Sequence, residues 1–161
     1  MVESILQFIE RFSDIIGIVF QCLTTLIIFF LAFGKDRYMK TLTTLQIRLE
    51  RLYFPFYQKF TMGHFNDEHR LSSSPFETRS CFLELFSKNI QYMGTKSQAL
   101  FSEFYIEFFN MLEADDNNSD FPVDITSKNF DKAFIALSNS LLSEYMCICK
   151  RLKLPKPLSK R

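Results

Sequence analysis

Residues 15–33 read Ile-Ile-Gly-Ile-Val-Phe-Gln-Cys-Leu-Thr-Thr-Leu-Ile-Ile-Phe-Phe-Leu-Ala-Phe, nineteen positions without a charged side chain, and the run closes on Gly34-Lys35-Asp36-Arg37. As a helix at ~1.5 Å per residue this run is about 28 Å long, close to the ~30 Å hydrocarbon core of a bilayer. No other stretch of the chain approaches that length without a charge. The expected architecture is all-α: one N-terminal transmembrane helix over 15–34, followed by a bundle of about four helices. A secretory signal would need a basic start and small residues before a cleavage point. Here Glu3, Glu10 and Asp14 oppose Arg11 alone, and the apolar run ends on bulky Leu31 and Phe33.

The flanking charges predict an orientation. Arg11 is the only base before the span, whereas Lys35, Arg37, Lys40 and Arg48 follow it. Basic residues are retained on the cytoplasmic side. The expectation is a plasma (inner) membrane protein with residues 1–14 outside or at the interface and 35–161 in the cytosol. Cys22, Cys81, Cys147 and Cys149 do not form a disulfide framework, which suits a reducing compartment. The sequon Asn117-Asn118-Ser119 would then stay unmodified.

Working outward from the span, Val2, Ile5, Leu6, Ile9 and Phe12 recur at helical spacing, as an interfacial helix or an outward extension of the membrane helix. On the other side Tyr38, Leu42, Leu45, Leu49 and Leu52 form an amphipathic seam resembling two heptads of a coiled coil. Pro55 should kink or interrupt that helix near Arg51. A polar loop covers 63–73. Ser74-Pro75-Phe76-Glu77 predicts a serine-capped start for a third helix, with Phe76, Leu83, Phe86, Ile90 and Met93 inward and Gly94 as terminator. A fourth helix begins at Thr95 or Ser97 and presents Phe101, Phe104, Tyr105, Phe108 and Leu112. A last one, capped by Thr126, carries Phe130, Phe134, Leu137, Leu141, Tyr145 and Cys149 and ends before Pro155. Residues 35–154 thus read as one helical bundle and 155–161 as a basic tail.

Motifs that would carry catalysis are incomplete. His64, Asp67 and His69 offer metal donors, but the histidines are five apart in a loop, not four apart on a helix. Gly94-Thr95-Lys96-Ser97 lacks the leading glycine and the strand of a phosphate loop, and reads as a helix junction. Cys147 and Cys149 point about 200° apart on a helix and would not share an ion. The expectation is a non-enzyme without cofactor or metal.

Three features bear on partners. On one face of the span lie Asp14, Gly17, Gln21, Thr24, Thr25, Ile28 and Ala32, small and hydrogen-bonding residues of the kind that associate helices in lipid. Gly17, Gln21, Thr24 and Thr25 are the expected contacts of a homo-oligomer; the competing reading has the threonines bonded to their own backbone. Second, residues 97–127 hold seven acids and no Lys or Arg. Glu103, Glu107 and Glu113 mark an acidic face for a cytosolic protein partner, or simply a solvated one. Third, residues 150–161 hold six bases and no acid, with Lys150, Arg151, Lys153 and Lys156 as contacts for anionic lipid or a partner. No aromatics interleave with these bases, so direct nucleic-acid contact is not expected.

The segment Arg51-Leu52-Tyr53-Phe54-Pro55-Phe56-Tyr57 resembles the Leu-Tyr-x-Pro-x-Tyr element of small bacterial membrane proteins, some associated with phage-defence loci. The resemblance spans seven residues and implies a kinked aromatic helix near the membrane, with no chemistry of its own. The leading expectation is a single-pass membrane protein whose bundle binds a cytosolic partner and whose spans associate through the Gln21 face; its sharper version is a membrane-disrupting effector of bacterial defence. The alternative is a membrane-tethered adaptor that recruits a soluble protein or nucleoprotein through its bundle.

Overall fold

The structure, a computed structural model, describes residues 2–63, 70–115 and 122–155, with side chains from residue 16 onward. The described chain is all-α: α1 (Val2–Arg48), a π-helical turn (Leu49–Tyr53), α2 (Phe54–Met62), α3 (Phe76–Lys88), α4 (Thr95–Asp115) and α5 (Val123–Arg151). Short 3-10 turns occupy Leu71–Ser73 and Ile90–Tyr92. The chain divides into two units, Met1–Thr43 and Thr44–Arg161.

The first unit is a single helix that starts at Val2, so the N-terminal apolar residues continue the same helix. Every side chain from Ile16 to Thr41 is exposed. Among the described residues nothing covers Phe20, Phe30 or Leu31, each about 70% exposed. This helix is long and apolar enough to cross a membrane.

In the second unit burial begins at Leu45 and becomes complete at Leu52 and Tyr53. The proline break takes a definite form. Proline offers no amide hydrogen and its ring collides with the carbonyl four residues back. The backbone widens instead: the Phe54 amide donates to the Leu49 carbonyl, five residues earlier, and Pro55 falls in the first turn of α2. The turn rotates Tyr53 and Phe56 into the core while Phe54 stays exposed.

Phenylalanine builds that core. Phe56 of α2 meets Phe86 of α3 at 5.7 Å between ring centroids. Phe86 stands edge-on to Phe104 of α4 at 5.6 Å, and Phe104 meets Phe130 of α5 at 5.4 Å. Such pairs add about 0.5–1.5 kcal/mol each beyond the area they bury. The contacts Ser97–Ser140 and Phe108–Phe130 run in opposite senses along α4 and α5, so the two helices are antiparallel.

Several local expectations are corrected. Ser74 does not cap α3: Pro75 holds the cap position with no side-chain bond, and its carbonyl takes the Thr78 and Arg79 amides. Phe86 and Met93 are buried and Leu83 packs on the core as expected, but Phe76 and Ile90 are exposed, and Phe82 and Arg79 complete the inward face in their place. The helix stops at Lys88 with Asn89 as its C-cap, before Gly94 is reached. On α4, Tyr105 points outward and Met111 takes the expected place of Leu112 in the core. Thr126 lies inside the first turn of α5, bonding the Val123 carbonyl at 3.0 Å, and Pro122 holds the cap position. The α5 stripe, by contrast, is buried at Phe130, Phe134, Leu137, Leu141, Tyr145 and Cys149. Its end is a left-handed Lys153 (φ 56°) with the Leu154 amide returned to the Cys149 carbonyl at 2.9 Å. That is a Schellman closure with lysine where glycine is usual.

Candidate functional site

Two places concentrate chemistry, one in each unit. On α1 the apolar stretch presents an exposed face that includes Ile18, Gln21, Cys22, Thr25 and Leu26. Thr24 donates to the Phe20 carbonyl at 2.6 Å and Thr25 to the Gln21 carbonyl at 2.8 Å. Both hydroxyl protons are therefore used within the helix, and the exposed Gln21 carboxamide is left as the polar group able to donate outward. A Cβ at Gly17 would meet nothing within 4 Å, so no intrachain packing requires a glycine there.

The second place is a polar cluster inside the bundle, where the end of α1 and its π turn meet α4 and α5. Arg48 Nε donates to the Tyr92 carbonyl at 2.7 Å and Nη2 to the Tyr53 hydroxyl at 2.9 Å. The Tyr53 hydroxyl lies against both the Tyr92 carbonyl and Glu144 Oε2. Glu144 Oε2 also accepts the Gly94 amide at 2.9 Å, and Oε1 accepts the Ser97 hydroxyl at 2.8 Å. Ser97 in turn lies 2.8 Å from Ser140 Oγ. The Arg48 guanidinium stands 3.9 Å from the Glu144 carboxylate, each side chain about a quarter exposed or less.

Gly94 is explained by this cluster. A Cβ there would overlap the Glu144 carboxylate, which is packed against its backbone. Burial, reinforced by the bond and charge of Glu144, holds the Tyr53 phenol well above the usual tyrosine range. The tyrosine is thus a neutral strut between an arginine and a glutamate. What the cluster does is fasten the last turn of α1 to the helices that follow, through residues 39 to 91 positions apart in sequence.

Two smaller polar anchors hold the rest. Asp131, buried on α5, accepts the Ser72 amide at 2.9 Å and the Ser72 hydroxyl at 2.6 Å. Arg79 pairs with Asp115 at 2.9 Å. Asp115 therefore leaves the acidic set that the sequence offered to a partner. Of the remainder, Glu103 and Glu113 are exposed and Glu107 is half-buried. Lys150, Arg151 and Lys153 are exposed at the end of α5. Lys156, the loop residues His64, Asp67 and His69, and the sequon 117–119 lie outside the described residues. Among the described residues no group of His, Cys, Asp or Glu is arranged to hold a metal. Cys149 is buried and Cys147 exposed.

Sequence reasoning missed the Arg48–Tyr53–Glu144 cluster, although a signal existed. Glu144 interrupts an otherwise apolar stripe between Leu141 and Ile148, and Arg48 does the same between Leu45 and Leu52. A charge on an inward face implies a partner. Comparison with family models, curated proteins and solved structures finds no match to this chain.

Proposed function

We propose that this chain is a single-pass membrane protein whose spans self-associate through the face of Gly17, Gln21, Thr24 and Thr25, and whose bundle binds protein, acting as a membrane-disrupting effector of bacterial defence. The observation that carries this reading is the uncovered span, exposed at every described position from Ile16 to Thr41, with a glutamine in its middle. In hydrocarbon an unpaired carboxamide costs several kcal/mol, and a second copy supplying its own Gln21 relieves that cost. The bases Lys35, Arg37 and Lys40 favour a cytosolic bundle. Because one helix carries both the span and Arg48, a change in the bundle's state has a direct covalent route to the membrane segment.

The test is crosslinking in native membranes of the full chain, with its four cysteines replaced by serine and Ile28→Cys introduced on the association face. Crosslinked dimers in this background and a severalfold loss on adding Gln21→Leu support the reading. Equal crosslinking with and without Gln21→Leu removes the association face.

A further inference from the structure

We propose that Lys59 and Cys81 form a redox clasp: a peroxide oxidises the thiol, and the lysine nitrogen then bonds to the sulfur, tying α2 to α3. The inference does not depend on association of the spans. Lys59 Nζ lies 3.0 Å from Cys81 Sγ, the lysine exposed and the cysteine half-buried. The two residues are 22 positions apart in sequence, so it is the fold that brings them together.

The core beneath the pair fixes their approach. Phe56 of α2 meets Phe86 of α3 at 5.7 Å between ring centroids. Phe60 and Phe82, the residues that follow Lys59 and Cys81, both meet Phe134 of α5, at 6.2 and 5.1 Å. Amine and thiol therefore stand at the rim of one packed seam, and the long lysine side chain closes the remaining distance without a backbone shift. Glu84, whose carboxylate feels the Lys59 charge, is bonded by Lys88, so the amine is left to face the thiol.

The chemistry balances with a peroxide as oxidant. The thiol takes one oxygen from the peroxide, giving a sulfenic acid and water. Sulfenic sulfur is electrophilic and condenses with nitrogen as well as with thiols. The Lys59 ammonium gives one proton to solvent, and its lone pair then forms the S–N bond. Hydroxide leaves the sulfur and departs as water with the second amine proton. Sulfur has lost two electrons, and the peroxide has gained them. Two equivalents of an added thiol reverse the link, ending as a disulfide while Lys59 and Cys81 regain their hydrogens. A covalent tie between positions 59 and 81 restricts the open chain and keeps α2 on α3, so oxidation makes the bundle harder to open.

The test treats the full chain in detergent, carrying Cys22→Ser and Cys147→Ser, with hydrogen peroxide. The expected product is two hydrogens lighter than the reduced chain and is no longer cut by trypsin after Lys59. The peptide carrying Lys59 stays joined to the one carrying Cys81, and a dithiol restores both the mass and the cut. Cys149, 2% exposed, should react severalfold more slowly with a water-soluble thiol reagent in the linked chain. Lys59→Arg keeps the charge and removes the nucleophile. In that variant no link should form, a dimedone probe should trap severalfold more Cys81 sulfenic acid, and Cys149 labelling should not slow. Oxidation of Cys81 with trypsin still cutting after Lys59, a link to another lysine, a disulfide to Cys149, or no reaction at Cys81 overturns the proposal. A link that leaves Cys149 labelling unchanged overturns the clasp.

Discussion

Glu144→Ala is the substitution on which the cluster at the foot of α1 depends most. It removes the acceptor of three groups at once: the Tyr53 hydroxyl, the Gly94 amide and the Ser97 hydroxyl. Tyr53 keeps the Tyr92 carbonyl and Ser97 keeps Ser140, so only the Gly94 amide is fully orphaned. An orphaned donor costs ~1–3 kcal/mol when fully buried and less at the partly buried Gly94, and losing a charged acceptor weakens the other two bonds further. Breaking a buried pair costs about 3–5 kcal/mol when both ions are dry; with the Glu144 side chain 21% exposed, solvent returns part of that. The expected loss is about 2–4 kcal/mol, a large share of the ~5–15 kcal/mol of an ordinary domain. Cys149 supplies the assay: at 2% exposure it reacts with a water-soluble thiol reagent only when the bundle opens. With Cys149 as sole cysteine in detergent-solubilised full chain, Glu144→Ala should speed labelling about 30- to 1,000-fold at fixed pH, by the ~1.4 kcal/mol per decade rule. A change under twofold would refute the reasoning, because the carboxylate would then hold nothing together.

Further outcomes follow from the same packing. Tyr53 ionises with difficulty in the fold, so its folded pKa lies above its unfolded one and the neutral form favours folding. That contribution is complete below the ordinary tyrosine pKa of ~10 and is lost as pH rises beyond it, through the folded value. Thermal melts of the wild type above pH 10 should therefore decline more steeply than those of Tyr53→Phe. Phe104→Ala should destabilise the bundle by about 3–5 kcal/mol in the Cys149 labelling assay, because that ring is fully buried and meets Phe86, Phe130 and Phe134. Lys153→Gly should stabilise by up to ~1 kcal/mol in thermal melts, since glycine holds the left-handed C′ position without the Cβ penalty.

What the sequence made legible was what repeats along one element. The span declares itself by a lack of charge, and α5 by a period sustained from Phe130 to Cys149. The thirteen-residue α3 offered too few turns to fix the whole of its inner face, and a buried Arg79 disguised part of it. Ser74 and Thr126 are good caps in isolation, yet Pro75 and Pro122 took the cap positions because proline already supplies the extended backbone that a helix entry needs. The polar cluster was hidden for a different reason. Its contacts join Arg48 to Tyr92 and Tyr53 to Glu144, pairs 44 and 91 residues apart, and no local pattern encodes such a meeting. Gly94 illustrates the difference: read as a helix terminator, it lies beyond the end of α3 and donates its amide to a carboxylate from α5 that rests where a Cβ would be.

The most direct measurement is membrane potential, followed with a voltage-sensitive dye in bacteria during induced expression of the full chain and of Gln21→Leu. Depolarisation by the wild type and its loss in Gln21→Leu is the predicted result. An unchanged potential with both proteins contradicts the effector reading and favours an adaptor that uses the span only as an anchor.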